Sequence, residues 1–288
     1  MKRRVVITGQ GIVSPIGNTV DEAYNNAING VNGIAPITLF PTDDWKVKIG
    51  GEVKNLDFEA FIDKKTLKRQ DRVINLALVA AHEAYTQSGL QASDIQDSYR
   101  FGTFVGSGIG GLTTINKETE TSVLRGLDRM SPFFIPASII NLIGGAISMK
   151  YQAKGPNLPV VTACSAATNS MGEAFRYIRD GYLDIAFTGG SEAPINPIGV
   201  SGFSNMRALS LETDHEKASL PFDARRGGFV IGEGAGIFIF EAYEHAIKRG
   251  AHILAEVVGY GTTSDAYHIT APDVEAEGVS RALLNALE

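Results

Sequence analysis

The sequence has one cysteine in 288 residues, no long apolar run and no excess of positive charge. A single cysteine excludes an intramolecular disulfide, which suits a reducing compartment. A net charge of −6 argues against sequence-independent binding to nucleic acid, which needs a broad positive surface. The apolar run after the basic residues 2–4 is too short for a signal peptide, and no stretch is long enough to cross a membrane. We therefore expect a globular cytoplasmic protein with no nucleic-acid or membrane partner.

Several cofactor and catalytic motifs are missing or incomplete. Residues 190–192 and 200–202 each lack a glycine that G-x-S-x-G requires, which argues against a serine hydrolase, and the five histidines do not show the spacing of metal ligands. Residues 106–111 satisfy G-x-G-x-x-G, but no acidic strand end follows about 20 residues later, so no dinucleotide cofactor is predicted. We interpret these glycines as a turn whose backbone lies close to another segment, with Ile109 facing the pocket that the turn borders.

Short apolar runs alternate with helical patterns along the chain, which indicates an α/β protein with a buried, mixed or parallel sheet. Functional loops are expected beyond the carboxyl ends of its strands. Helices are predicted over residues 64–88 with Gly89 as the stop, from Cys164 up to Gly181, and over residues 279–288, where no stop signal follows. The runs predicted as buried strands are residues 5–8, 101–105, 158–161, 185–188, 237–240 and 255–258.

Cys164 is the candidate nucleophile, because an apolar run gives way there to the turn Thr162-Ala163-Cys164-Ser165 and then to a helix. The backbone dipoles of a helix N-terminus favour a thiolate, and its free N–H groups can stabilise an oxyanion beside the sulfur. A cysteine taken at random is more often a small buried hydrophobe, but these neighbours favour a nucleophile. No general base is identifiable, although His268 stands in a polar loop that is able to border a site.

A basic cluster is predicted on the first long helix, opposite its apolar stripe; it comprises Lys64, Lys65, Lys68, Arg69 and Arg72. Such a short run of charge is either a solvated face or a dock for an acidic partner, whose encounter the charges would accelerate. Arg129 and Arg207 join the cluster if the fold brings them near.

Several motifs follow one another along the chain, at residues 4–17, 162–165, 184–193, 203 with 207–210, 221–235 and 265–272. Their order is typical of β-ketoacyl-[acyl-carrier-protein] synthases, and the chain most resembles the synthase II type. The resemblance runs from about residue 4 to the last residue.

The resemblance implies a thiolase-like, layered α-β-α-β-α fold with mixed five-stranded sheets, usually paired as a homodimer. It implies that Cys164 takes an acyl chain from acyl carrier protein as a thioester. Malonyl-acyl carrier protein then loses carbon dioxide, and the resulting carbanion attacks the thioester, which lengthens the chain by two carbons. A covalent intermediate of this kind suits an activated thiolate. No metal or cofactor is implied.

The resemblance also assigns roles to individual positions. Ile109 and Phe203 match acyl-pocket residues, Phe134 matches a pocket residue lent across the dimer, and Thr270 matches a contact to the pantetheine arm. The residues matching the region that meets the acidic carrier protein are Lys65, Lys68, Arg69, Arg129 and Arg207.

The chain departs from the family in one respect. The family's two catalytic histidines, its lysine and its glycine-rich phenylalanine loop belong to a C-terminal half that finds no match here. We expect residues 1–250 to form the half with the nucleophile and residues 251–288 to begin the second, as the N-terminal portion of a longer synthase. The 288-residue chain alone is then expected to lack condensing activity, because the histidines that stabilise charge during decarboxylation are missing.

Three alternatives remain at this point. A non-catalytic acyl-binding or chain-length-determining homologue would typically lack the nucleophile. A coenzyme A-dependent thiolase-fold acyltransferase would use another donor, and the 221–235 block fits it less well. An unrelated cysteine hydrolase would need a histidine near Cys164.

Overall fold

The computed structural model describes residues 2–288. The strands are β1 Val5–Val13, β2 Ala35–Pro36, β3 Ile49–Gly50, β4 Phe101–Gly106, β5 Ile185–Glu192, β6 Gly234–Ala242 and β7 Ala255–Val257. The helices are α1 Val20–Ile28, α2 Lys64–Leu67, α3 Arg72–Ser88, α4 Leu112–Arg125, α5 Phe134–Ser138, α6 Asn141–Tyr151, α7 Ala166–Arg179, α8 Pro197–Asn205, α9 Tyr243–Lys248 and α10 Glu277–Leu287. None of the helices in residues 2–288 is both long and apolar enough to cross a membrane.

Five strands form one mixed sheet in the order β4-β5-β6-β1-β7. β4 and β5 run parallel, with Phe101 opposite Ile185, and every other neighbouring pair is antiparallel. All of β4 is buried, which explains why its sequence does not alternate between apolar and charged or polar residues. Because the parallel strands β4 and β5 end at the same edge, the loops that follow them meet there.

Helices cover both faces of the sheet, which confirms the predicted layered α/β architecture. α3 packs on one face, where Leu76 shares a core cluster with Phe187 and Ile237. α7 packs on the other face, where Ile178 shares a cluster with Phe104. Burial of these apolar side chains is the main force that holds the layers together.

Glycines in β1 allow the close approach of α3. A Cβ atom added to Gly9 would lie 2.1 Å from the carbonyl oxygen of Ala84, and one added to Gly11 would lie 2.0 Å from that of Ala80. Any other residue at these two positions would push the helix away from the sheet. The glycines therefore have a packing role here and not the role of flexible linkers.

The predicted helix over residues 64–88 is wrong as one element. It is two helices, because Asp71 accepts a hydrogen bond from the N–H of Val73 and caps the start of α3. Arg72 consequently turns inward to a two-point ion pair with the buried carboxylate of Glu233, at 2.6 and 2.7 Å. The five basic residues thus do not share a helix face. The predicted stop is right, since Gly89 has a φ of +67°.

The predicted strand over residues 158–161 is also wrong. Thr103 of β4 bonds to the carbonyl of Pro156 and to the N–H of Leu158, but pairing goes no further, and Leu158 and Val161 are exposed. Residues 255–257 do form a strand, but they lie at the sheet edge and are not buried. The other four predicted strands are confirmed, and each extends beyond its apolar run. The predicted helix after Cys164 and the predicted last helix are also confirmed.

Candidate active site

Cys164 lies in a 3₁₀ turn, Ala163–Ser165, directly before α7. Its side chain is exposed, so the thiol is accessible. Ala163 has a φ of +50°, a left-handed conformation that costs a non-glycine residue energy and often occurs at functional sites. The sulfur is therefore presented on a sharp turn before the helix, which is the position predicted from the sequence.

Cys164 lines a cavity of about 500 Å³ at the carboxyl ends of β4 and β5. Ile109 and Phe203 line the same cavity, so the structure brings together three of the predicted site residues. The wall consists mainly of glycine, alanine and apolar side chains, which suits an apolar ligand. The cavity is also lined by Ser107, Gly108, Glu192 and Phe229.

Small residues allow α7 to pack closely against the sheet beside this cavity. A Cβ atom added to Gly106 would lie 2.5 Å from the carbonyl oxygen of Ala166, and one added to Gly190 would lie 2.7 Å from the Cβ atom of Ala167. The interpretation of residues 106–111 as a turn in close backbone contact is thus confirmed, and so is the exposure of Ile109 to the pocket that the turn borders.

Two residues of the cavity were missed by the sequence analysis. Phe229 lies edge-on to Phe203, with ring centroids 5.7 Å apart. Glu192, the last residue of β5, accepts hydrogen bonds from the N–H of Gly108 at 2.6 Å and the hydroxyl of Ser107 at 3.0 Å. Burial raises the pKa of Glu192, and these hydrogen bonds act against the rise. The sequence signal that pointed to Glu192 was its position as an acidic residue at the end of a buried strand.

Phe134 and Thr270 are not among the described residues that line the Cys164 cavity. Phe134 is half-buried at the start of α5. Thr270 and His268 border a separate cavity of about 690 Å³ formed by residues 263–272, where the N–H of Thr270 donates to Nδ1 of His268. Among residues 2–288, no histidine lines the Cys164 cavity, and no three His, Cys, Asp or Glu side chains are grouped to hold a metal ion.

The predicted docking residues are all exposed. Lys65 belongs to α2, while Lys68 and Arg69 follow it and border a groove of about 300 Å³. The guanidinium of Arg69 lies 4.6 Å from the ring centroid of Phe133, a cation–π contact that orients it. The remaining two are Arg129, in a 3₁₀ turn after α4, and Arg207, just after α8.

The mixed sheet between helices, with a lone thiol before α7 facing an apolar cavity, is the arrangement of a ketoacyl synthase. A sequence profile described as "Beta-ketoacyl synthase, N-terminal domain" matches residues 2–246, and the chain belongs to this family.

Particular relatives agree with this assignment. The chain is 49% identical over 286 residues to 3-oxoacyl-[acyl-carrier-protein] synthase 2 of Staphylococcus aureus (strain N315). The alignment covers 99% of this chain and 69% of that protein. A solved ishigamide ketosynthase/chain length factor superposes with a TM-score of 0.89 at 33% identity, covering 100% of this chain and 70% of the other. A type II PKS ketosynthase, solved in complex with its acyl-carrier protein and bound to the hexaketide, superposes with a TM-score of 0.88 at 32% identity. The superposition covers 100% of this chain and 71% of the other.

Proposed function

We propose that this protein is a 3-oxoacyl-[acyl-carrier-protein] synthase that elongates fatty acyl chains on Cys164. The Cys164 thiolate attacks the acyl thioester carbonyl, the C–S bond to the carrier breaks, and the carrier leaves as a thiolate that takes a proton from water. Loss of carbon dioxide from malonyl-acyl carrier protein leaves an electron pair on carbon, which attacks the Cys164 thioester and releases the cysteine. The observation that carries the proposal is the accessible thiol at the mouth of an apolar cavity.

Backbone geometry around the thiol supports the first step. Within residues 2–288 the N–H of Cys164 has no protein acceptor, whereas the N–H groups of Ser165 and Ala166 are bonded to the carbonyls of Thr162 and Ala163. The free N–H beside the sulfur is thus available to the oxygen of an acyl group bound there. A donor fixed at that point stabilises the oxyanion of acyl transfer.

The second step needs groups that the cavity does not supply. Decarboxylation places negative charge on the malonyl thioester oxygen, and no histidine of residues 2–288 lines this cavity. We therefore propose that the 288-residue polypeptide, by itself, accepts an acyl chain but does not complete the condensation. The division near residue 250 and the cytoplasmic location stay predictions; a profile match that ends at residue 246 supports the division.

Carrier-protein docking at Lys65, Lys68 and Arg69 is part of the proposal. These three cations are exposed and adjacent, on a chain whose net charge is −6, so an acidic partner would be attracted locally and not by the whole surface. Stacking on Phe133 reduces the conformational entropy that Arg69 would lose on binding.

Comparison of two acyl donors tests the function. We expect intact-protein mass spectrometry to detect one acyl group on Cys164 with acyl-acyl carrier protein, formed about tenfold faster or more than with the same chain on coenzyme A, because only the carrier meets the basic residues. High salt should reduce this preference. Faster transfer from coenzyme A would instead indicate the thiolase-like branch, and binding without a covalent adduct would indicate a non-catalytic homologue.

We also propose that the protein is a homodimer. β4 is an end strand of the sheet, residues 158–161 pair with it only as far as Leu158, and the side chains of Leu158 and Val161 are exposed. An unpaired edge with apolar side chains is a template for pairing with a second copy. A pocket residue lent by the partner is consistent with the position of Phe134 away from its own cavity.

Sedimentation tests the dimer. Val161→Glu should convert the protein to a monomer at micromolar concentration, because a charge would be buried at the contact. Ile28→Glu, on the exposed part of α1, is the matched control and should leave the wild-type dimer intact. A wild-type monomer, or a dimer unaffected by Val161→Glu, would contradict the proposal.

A further inference from the structure

One carboxylate holds the turn between β4 and α4. Glu192 accepts from the N–H of Gly108 and from the hydroxyl of Ser107, and the Ser107 oxygen in turn accepts from the N–H of Gly110 at 2.9 Å. The two bonds to Glu192 span 84 and 85 residues of sequence and tie the turn to the end of the neighbouring strand. The turn 107–110 therefore depends on Glu192 for its position.

The same turn forms part of the wall beside the nucleophile. Ile109 projects into the cavity that Cys164 borders. A Cβ atom added to Gly108 would lie 3.0 Å from Oε2 of Glu192 and 3.5 Å from the Cα atom of Ala163, so the carboxylate, the turn and the nucleophile's segment are packed together. A shift of the turn would change the space next to the sulfur.

We propose that Glu192 is a positioning residue that fixes Ile109 in the cavity wall and thereby sets how long an acyl chain the cavity accepts. The proposal rests on the proposed function for the identity of the ligand. Glu192 is half-buried, and this partial burial of the carboxylate is costly and raises its pKa. A carboxylate in the wall of a mainly apolar cavity is explained if its hydrogen bonds fix the position of the turn that carries Ile109.

Cysteine alkylation measures the shape of the cavity without the need for the full reaction. The probes are iodoacetamide and a series of N-alkyl iodoacetamides with tails of increasing length; each forms a bond from sulfur to carbon and releases iodide, and the thiol proton goes to water. Rates come from intact-protein mass spectrometry on the full chain. Transfer from acyl-acyl carrier proteins of the same chain lengths is measured in parallel.

Glu192→Ala should change the ratio of long-tail to short-tail alkylation rates by about tenfold, which is the discrimination that one or two methylenes give in a pocket. Glu192→Gln should restore most of the wild-type ratio, because its amide oxygen is still able to accept from Gly108. Glu52→Gln is the matched control: the Glu52 carboxylate accepts two N–H groups and a hydroxyl, from Thr38 and Leu39, but does not line the cavity. It should leave the ratio unchanged.

Two results would overturn the inference. One is a wild-type length profile in Glu192→Ala; the other is an equal loss for all probes matched by Glu52→Gln, which would indicate a structural role only. If Glu192→Ala does not fold, Ser107→Ala removes the two bonds that the Ser107 hydroxyl makes in the same turn, to Glu192 and from Gly110, and should change the ratio in the same direction. Wild-type protein that alkylates normally but takes no acyl group from the carrier would contradict the proposed function and not this inference.

Discussion

Replacing Cys164 by serine is expected to lower the rate of acyl-enzyme formation by on the order of a thousandfold or more. A serine hydroxyl is not ionised near neutral pH and needs an adjacent base, whereas a thiol is partly ionised and intrinsically more nucleophilic. No histidine of residues 2–288 lines the cavity, and the Glu192 carboxylate is occupied by Gly108 and Ser107. The variant would thus have a weak nucleophile without a base to activate it.

Rapid quenching followed by mass spectrometry measures this rate with acyl-acyl carrier protein as donor. Thr168→Ser, an exposed position on α7, is the matched control and should stay within about threefold of wild type. Cys164→Ala should give no covalent adduct. A serine variant that keeps a tenth of the wild-type rate would show that a base reaches this position, which would favour the hydrolase alternative.

The turn that carries Cys164 and the strands beside it were predictable because their signals are local. The turn before α7 and the glycine at 181, with a φ of +86°, act over a few residues, and the apolar runs of β4 and β5 reflect burial on both faces. The cavity wall was less predictable. Glu192 and Ser107 are 85 residues apart, and only the parallel pairing of their strands brings them together.

The two errors in secondary structure have long-range causes as well. Arg72 fits the basic helix face in sequence, but Glu233, 161 residues away, draws it inward next to the cap at Asp71. Residues 158–161 have strand-like composition, yet a strand requires a partner, and β4 supplies one only as far as Leu158. Strand propensity depends on context in this way.

Replacing Glu241 by alanine is expected to lower the free energy of unfolding by about 3–5 kcal/mol, the usual cost of breaking a buried ion pair. Glu241 of β6 is fully buried and accepts from the guanidinium of Arg249, the imidazole of His245 and the hydroxyl of Thr8. Arg249 also donates to the carbonyl of Ser88 at the end of α3. Without the carboxylate, a buried guanidinium would lose its counter-charge.

Thermal unfolding measures the loss, which corresponds to a decrease in Tm of about 10 °C for a chain of this size. Glu256→Ala is the matched control, because Glu256 makes a similar two-point pair with Arg4, at 2.7 and 2.8 Å, on the exposed surface. Water screens that pair, so its removal should change Tm by about 1 °C or less. Equal shifts in the two variants would contradict a special role for burial.

The pH dependence gives a second and independent test. The hydrogen bond with Glu241 raises the pKa of His245, whose other ring nitrogen faces the carbonyl of Asp94 at 3.0 Å. Burial alone would raise the pKa of Glu241, but bonds from His245, Arg249 and Thr8 outweigh it and lower that pKa.

The sign of each contribution follows from these shifts. Protonated His245 stabilises the fold fully below the unfolded pKa of about 6.5, and this contribution is lost as the pH rises through the higher folded value. Ionised Glu241 contributes above its unfolded pKa of about 4.3 and is lost as acid protonates it in the folded state. The stability difference between wild type and Glu241→Ala should therefore be largest near pH 5–6 and decrease toward alkaline pH. A difference that stays constant as the pH rises through the neutral range would mean that the charge of His245 does not contribute and that His245 does not belong to the ion network.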